Sequence, residues 1–352
     1  MSFRRTNSHQ LTSAARWISS ASRYSSTSNA TAALTKPKFL VTGGLGQIGT
    51  DLATTLRKKY GRDSVIVTDI HKASSEVRAS GPFEHLDVLD RKRLEEIVVT
   101  QDVTYIIHLS AIMSVLGEQI PHKCMDLNID GLRNALEVAR VHKCKIFAPS
   151  TMAVFGPDAG KVMTKDDTIL NPTTIYGVTK VFLEQLGAYY HRKFGVDFRC
   201  VRYPGIISAP TLPGGGTTDY AVHMYHYALK GKPYTCPVLP NEPLPMMYMD
   251  DAVNGTIQLL EADRSLLKRC TYNIAGFSFT PDELHKSILK HLPLEMEYKE
   301  GIAQQIAHSW PDSMDDSNAK NDWGYQPKFT LEDMTRVMLQ DIPNFHPDCK
   351  KL

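Results

Sequence analysis

The 352-residue chain carries 40 Lys and Arg against 38 Asp and Glu and is 42% hydrophobic, enough for one large domain or two coupled lobes around a real core. A net charge of +2 gives no electrostatic footprint for nucleic acid, and the absence of an 18-residue apolar run leaves no bilayer-spanning helix to expect, so neither is an expected partner. Six cysteines without a C-x-x-C pair argue against a disulfide scaffold and a zinc ribbon, and no metal site is expected.

The first 34 residues differ from the rest. They hold Arg4, Arg5, Arg16, Arg23 and nine Ser, and no Asp or Glu precedes Asp51. A basic, Ser-rich, acid-poor stretch without a continuous apolar segment has the composition of an organellar transit peptide. Arg interleaved with Leu11, Trp17 and Ile18 points to the mitochondrion, with cleavage near Arg23. Without this leader the balance becomes 36 basic to 38 acidic residues.

"KFLVTGGLGQIGTDLATTLRKKYGRDSVIVTDI" then reads strand, glycine turn, helix, loop, strand. Phe39–Thr42 is a short apolar run, and Ile48, Leu52 and Leu56 repeat at one-face helical spacing. Gly43, Gly46 and Gly49 fit a dinucleotide fingerprint: a tight turn, close approach of backbone to pyrophosphate, and close helix packing. The helix N-terminus then attracts the phosphates. Asp69 ends the second strand, 20 residues after Gly49, where a carboxylate accepts from ribose hydroxyls and repels a 2′-phosphate. NAD is therefore favoured over NADP, although His71, Lys72 and Arg78 could soften that repulsion.

The alternation continues with strand Phe83–Leu86, helix Arg91–Thr100, strand Thr104–Leu109, helix Asn128–His142 and strand Lys145–Ala148. Repeated βα units with near-continuous apolar strands predict a Rossmann-type α/β fold, a doubly wound parallel sheet with a smaller C-terminal substrate lobe. The expected division is leader 1–34, NAD-binding domain 35–204 with some later segments returning to it, substrate lobe 205–345 and tail 346–352. Asp87-Val88 falls where an adenine edge would lie, or is simply a loop pair.

Ser150 and Thr151 stand at a strand's carboxyl end, the edge where open α/β sheets bind ligands. Tyr176 and Lys180 follow in "IYGVTK", spaced i, i+4 and so on one helix face. The ammonium and an oxidised nicotinamide would lower the phenol pKa from about 10, so that Tyr176 takes the proton of an alcohol while Thr151 holds its oxygen. A second Tyr-x-x-x-Lys, Tyr189 and Lys193, points roughly 220° around the helix at about 100° per residue, so Tyr189 serves packing or partner contact. "PGIISAPTLPGGGTTDYA" is too rich in Gly and Pro for a regular element and reads as a closing loop near the site. Within it Thr217, Thr218 and Asp219, and outside it Ser114 and Trp310, are candidates for holding a zwitterionic amino acid. Thr280-Pro281-Asp282-Glu283 opens a helix with a capping box.

"TGGLGQIG", Asp69, "PSTMAVFGP" and "YGVTK", in this order over about residues 36–345, resemble the extended short-chain dehydrogenase/reductase superfamily. "LSAIMSVLGE", "RYPGIISAPTLPGGGTTDYAV", "MYMDDAV" and "HSWPDSMDDS" resemble its threonine-oxidising branch. The resemblance implies NAD-dependent oxidation of the L-threonine β-hydroxyl to 2-amino-3-oxobutanoate, a mitochondrial location in eukaryotes, and a homodimer through the long helices near Asn128–His142 and Val178–Phe194. Thr151 replaces the Ser, and Phe155 the Tyr, found in many members of the superfamily. Tyr176, Lys180 and Thr151 form the expected catalytic set. The expected cofactor contacts are Gly43, Gly46, Gln47, Ile48, Gly49, Asp69, Ile70, Asp87, Val88, Leu109, Tyr176, Lys180 and Ile206; Ser114, Thr151, Tyr176, Thr217, Thr218, Asp219 and Trp310 are expected against substrate.

Two other readings share parts of this pattern. A nucleotide-sugar epimerase or dehydratase would need arginines for a diphosphate, and none occurs from Tyr203 to Asp263. A non-catalytic NAD-binding regulator has no use for Tyr176, Lys180 and Thr151 together.

Overall fold

The computed structural model describes residues 36–212 and 214–349; the expected leader, and Lys350–Leu352 of the expected tail, lie outside them. In chain order the elements begin β1 (Phe39–Thr42), α1 (Gln47–Tyr60), β2 (Val65–Asp69), α2 (Ser75–Ser80), β3 (Phe83–His85), α3 (Arg91–Thr100), β4 (Tyr105–His108), α4 (Ser114–Gln119), α5 (Pro121–Met125) and α6 (Gly131–His142). They continue with β5 (Lys145–Phe147), β6 (Ser150–Thr151), α7 (Ile175–Phe194), β7 (Phe198–Tyr203), β8 (Gly205–Ile207), α8 (Asp219–Lys230), β9 (Tyr234–Cys236), β10 (Leu244–Tyr248) and α9 (Met249–Glu261). The last are β11 (Thr271–Asn273), β12 (Phe277–Phe279), α10 (Pro281–Leu289), β13 (Met296–Tyr298), α11 (Ile302–His308), α12 (Ser317–Trp323) and α13 (Leu331–Phe345).

The main sheet runs β11-β7-β5-β4-β1-β2-β3, with β6 beside β7. Every pairing in it is parallel. Each residue of β1, β2, β4 and β7 is buried, as a parallel sheet covered on both faces requires. Side chains alternate between the faces: Phe39 and Val41 join Leu52, Leu56 and Ile257 on one, Leu40 joins Leu94, Leu136 and Leu183 on the other. β11 and, through Ala252, Ile257 and Ala319, the helices α9 and α12 return to this sheet. A second core gathers Phe155, Tyr220, Met224, Leu284 and Met338 around the three-stranded sheet β12-β10-β8.

One local expectation holds at a helix end. The capping box at α10 forms, with Thr280 and Glu283 each taking the other's backbone N–H. All six cysteines are free, five of them buried.

Three segments depart from the sequence reading. The stretch read as one long loop contains β8, which pairs in parallel with β10, and its last residues open α8, so the described irregular part shrinks to 208–212 and 214–218. Burial of Ile207 against that small sheet outweighs the local Gly/Pro content. The helix expected from Asn128 begins at Pro121 and carries a π turn over Asp126–Asp130; its apolar spacing is broken there, which hid the first turns. The segment after α13 is docked. His346 Nε2 lies 3.1 Å from the Ala209 carbonyl oxygen, and buried Cys349 Sγ lies 3.6 Å from His226 Nδ1.

Candidate active site

The carboxyl ends of β1, β4, β6 and β7 open onto a cleft of about 380 Å3. Gly43 makes the turn after β1 at φ +63°, and a side chain there would meet the backbone of Ser110 at 2.9 Å. Gly49 packs α1 against this turn: a Cβ would stand 2.6 Å from Gly44 Cα. The first turn of α1 has no acidic residue, and its N-cap, Gly46, offers no side chain to take the free N–H groups. The residues thus fit a dinucleotide pyrophosphate, by conformation and by the chemistry of exposed N–H donors.

A second hollow of about 300 Å3 shares Gly43, Gly46 and Leu109 with the first and is lined also by Asp69, Ile70 and Val88. Asp69 is fixed by two backbone N–H groups, Leu45 to Oδ2 at 3.2 Å and His71 to Oδ1 at 3.0 Å. Each carboxylate oxygen keeps acceptor capacity for ribose hydroxyls. Asp87 belongs to neither hollow. It is exposed and its Oδ1 accepts from Leu89 N at 2.9 Å, closing a local turn.

At the other end Thr151, Tyr176 and Lys180 line the cleft together with Gln47, Ile48, Ile206, Ser114, Thr217, Thr218, Asp219 and Trp310. Thr174 caps α7 by accepting from Gly177 N at 3.1 Å, and Glu118 Oε1 on α4 takes Ile175 N at 2.8 Å. This places Tyr176 in the first turn, 6% exposed, while Tyr189 on the far side is 46% exposed. Thr151 is held from behind. Neighbouring Ser150 donates to Glu184, which forms a buried bidentate pair with Arg202 at 2.9 and 2.7 Å.

Burial raises the Tyr176 phenol above its ordinary range, and its hydrogen bond with the Thr151 hydroxyl offsets only part of this. Lys180 Nζ donates to the Pro149 carbonyl at 2.8 Å and lies 5.6 Å from the centre of the Tyr176 ring. Desolvation brings that ammonium down to about 8, so in the protein alone it does not outweigh the burial of the phenol.

Several supporting residues escaped the sequence reading. Buried His108 has Nδ1 3.0 Å from Thr42 Oγ1, and burial, helped by Lys180, lowers it to about 3. Asn128, in the π turn, donates to Ile112 O and Thr179 Oγ1 and accepts from Ile112 N, tying the β4 loop to α7. Met113, Thr211 and Leu212 also line the cleft. A π turn breaks apolar periodicity, and that break was the signal available for Asn128.

In the substrate end, Ser114 Oγ lies 3.2 Å from Thr217 Oγ1. Asp219 Oδ2 accepts from Gly215 N and Gly216 N, both at 2.8 Å, and burial raises this carboxyl above its usual range. Among the described residues no arginine lines the cleft. Arg264 and Arg269 line a separate groove beside α7.

A glycine turn on a doubly wound sheet, an acid closing its second strand and a Tyr–Lys pair at the sheet edge define a dinucleotide-binding class of fold, and the chain belongs to the NAD dependent epimerase/dehydratase family, whose profile matches residues 39–275. NAD is the cofactor of that family, and the residues here fit it. More particularly, the chain is 48% identical over 311 residues to the mitochondrial L-threonine 3-dehydrogenase of Bos taurus, covering 88% of this chain and 82% of that one. Its structure matches the L-threonine 3-dehydrogenase of Trypanosoma brucei with a TM-score of 0.87 at 54% identity, over 90% of this chain and 99% of that one. A monomeric L-threonine 3-dehydrogenase from a metagenome matches at 0.84 and 42% identity, over 88% and 99%.

Proposed function

We propose that the protein oxidises the β-hydroxyl of L-threonine to the ketone of 2-amino-3-oxobutanoate, with NAD as the oxidant. When bound, NAD supplies the hydride acceptor and a ring cation beside the phenol. Tyr176, as phenolate, takes the hydroxyl proton as the C–H electron pair leaves and the C=O bond forms. Lys180 sustains the phenolate by its charge, and Thr151 holds the substrate oxygen. Ser114 and Thr217 offer hydroxyls to the carboxylate, and Asp219 faces the ammonium.

The observation that carries this reading is a cleft that brings Thr151, Tyr176 and Lys180 together with the hydroxyls of Ser114, Thr217 and Thr218 and the carboxylate of Asp219, and that among the described residues is lined by no arginine. A small zwitterion suits such a lining; a sugar diphosphate calls for bidentate guanidinium. The test is NADH formation by the purified chain with L-threonine and L-serine, beside chromatographic analysis of UDP-glucose and GDP-mannose after incubation, because epimerisation or dehydration returns the hydride to the sugar and leaves no net NADH. Threonine should give the highest kcat/KM. Turnover of a nucleotide sugar with none of threonine overturns the assignment.

We further infer delivery to mitochondria by the acid-free leader, supported by the mitochondrial relative, and a homodimer through α6 and α7, supported by exposed Val141, Val178 and Tyr189 on them. A fluorescent fusion with and without residues 1–34 tests the first, and the solution mass of wild type and Val178→Asp tests the second.

A further inference from the structure

Trp310 closes the substrate end of the cleft, yet it is carried by a connection between α11 and α12 and not by an element of either sheet. What fixes it lies 149 residues earlier. Lys161 Nζ donates to the Trp310 carbonyl at 2.8 Å and to the His308 carbonyl at 2.6 Å. The same ammonium lies 3.6 Å from Asp312 Oδ1 and 3.9 Å from Glu242 Oε1. The Lys161 carbonyl in turn accepts from Asp312 N and Ser313 N at 2.8 and 3.1 Å, and Thr164 N donates to Ser313 O. Met163, between them, is held at φ +51° with its N–H on Ser313 Oγ. That conformation is costly for an unbranched L side chain and persists only where surroundings over-determine it.

We propose that Lys161 is a positioning residue for substrate, acting through Trp310. One ammonium serving the carbonyls of His308 and Trp310 sets where the indole stands, through charge-assisted hydrogen bonds that are stronger than neutral ones. The segment 152–174, which holds Lys161, joins the strand of Thr151 to the helix of Tyr176, so the clamp ties the indole to the connection between the two reacting groups. The consequence is selective. Loss of the ammonium loosens the amino-acid end and leaves the glycine turn, Asp69 and the phenol where they are.

This inference rests on the proposed threonine oxidation, and the test separates the two. In the full chain, Lys161→Met and Lys161→Arg are compared with wild type for both substrates and for indole emission, the latter in a Trp17→Phe, Trp323→Phe background where Trp310 is the single indole. Lys161→Met should raise the KM for threonine about tenfold, with the KM for NAD and kcat within about twofold, and should red-shift Trp310 emission without substrate. Lys161→Arg, which keeps donors for both carbonyls, should recover most of the difference. An unchanged KM for threonine in Lys161→Met overturns the inference, as does a fall in kcat and melting temperature with KM unmoved, which a merely structural residue would give. If wild type does not oxidise threonine, the function fails separately; unshifted emission in Lys161→Met then overturns the clamp.

Discussion

The two ends of the cleft are built differently. At the cofactor end each group sits on, or one turn from, a regular element: the glycines between β1 and α1, Asp69 closing β2, Tyr176 and Lys180 on α7. At the substrate end Thr217, Thr218 and Trp310 sit on connections, while Ser114 and Asp219 are the first residues of α4 and α8; the connections are held by side-chain-to-backbone bonds between residues far apart in sequence, such as Lys161 with Trp310 and His346 with Ala209. Fixed chemistry is anchored in the sheet, while the part that selects substrate is held by a few replaceable bonds, which is where loops carry specificity.

The contrast can be broken or sharpened experimentally. Tyr176→Phe removes the proton acceptor and should lower kcat roughly 10²- to 10⁴-fold, while NAD binding, measured by titration calorimetry, stays close to wild type. Retained turnover would detach the chemistry from α7. Asp69→Asn removes a charge-assisted contact of about 1.5–3 kcal/mol and should raise the KM for NAD about 10- to 100-fold, with the KM for threonine little changed. A comparable change in both constants would mean that the two ends are coupled.

The third prediction concerns acid. His108 titrates at about 3 in the folded protein against about 6.5 ordinarily, so between those values the unfolded chain binds more protons. Stability is therefore fully present above pH 6.5 and falls as pH drops towards 3, by up to about 1.4 kcal/mol per pH unit from this group. Melting temperatures from pH 7 to 4 should fall less steeply in His108→Gln than in wild type. The smallest effect is expected far from either end. Thr280→Ala breaks the α10 capping box, should cost about 1 kcal/mol of stability in a denaturant titration, and should leave both KM values alone.

How much could be read from sequence follows the same division. Gly43, Asp69 and Tyr176 were legible because turn, strand end and helix phase are local patterns with a chemical meaning. β8 was not, because its three residues are extended by partners, Met246 to Tyr248, lying about forty positions away. Lys161 gave no signal at all: a lone lysine in a polar stretch acquires its role only when 308–310 folds over it. The burial of the Tyr176 phenol is not legible in the sequence for a related reason. Spacing announces Lys180 as a neighbour, but the burial that raises the phenol is contributed by the whole lobe.

That last point holds the account's central claim, a phenol that burial keeps protonated in the free protein and that becomes a base only beside a nicotinamide cation. Titrating Tyr176 by the ring-carbon chemical shift of 13C-tyrosine, with Tyr176→Phe to assign it, follows the group directly. The account predicts a midpoint above 10 without NAD and a clear fall on saturation with NAD. A midpoint unmoved by NAD would contradict it.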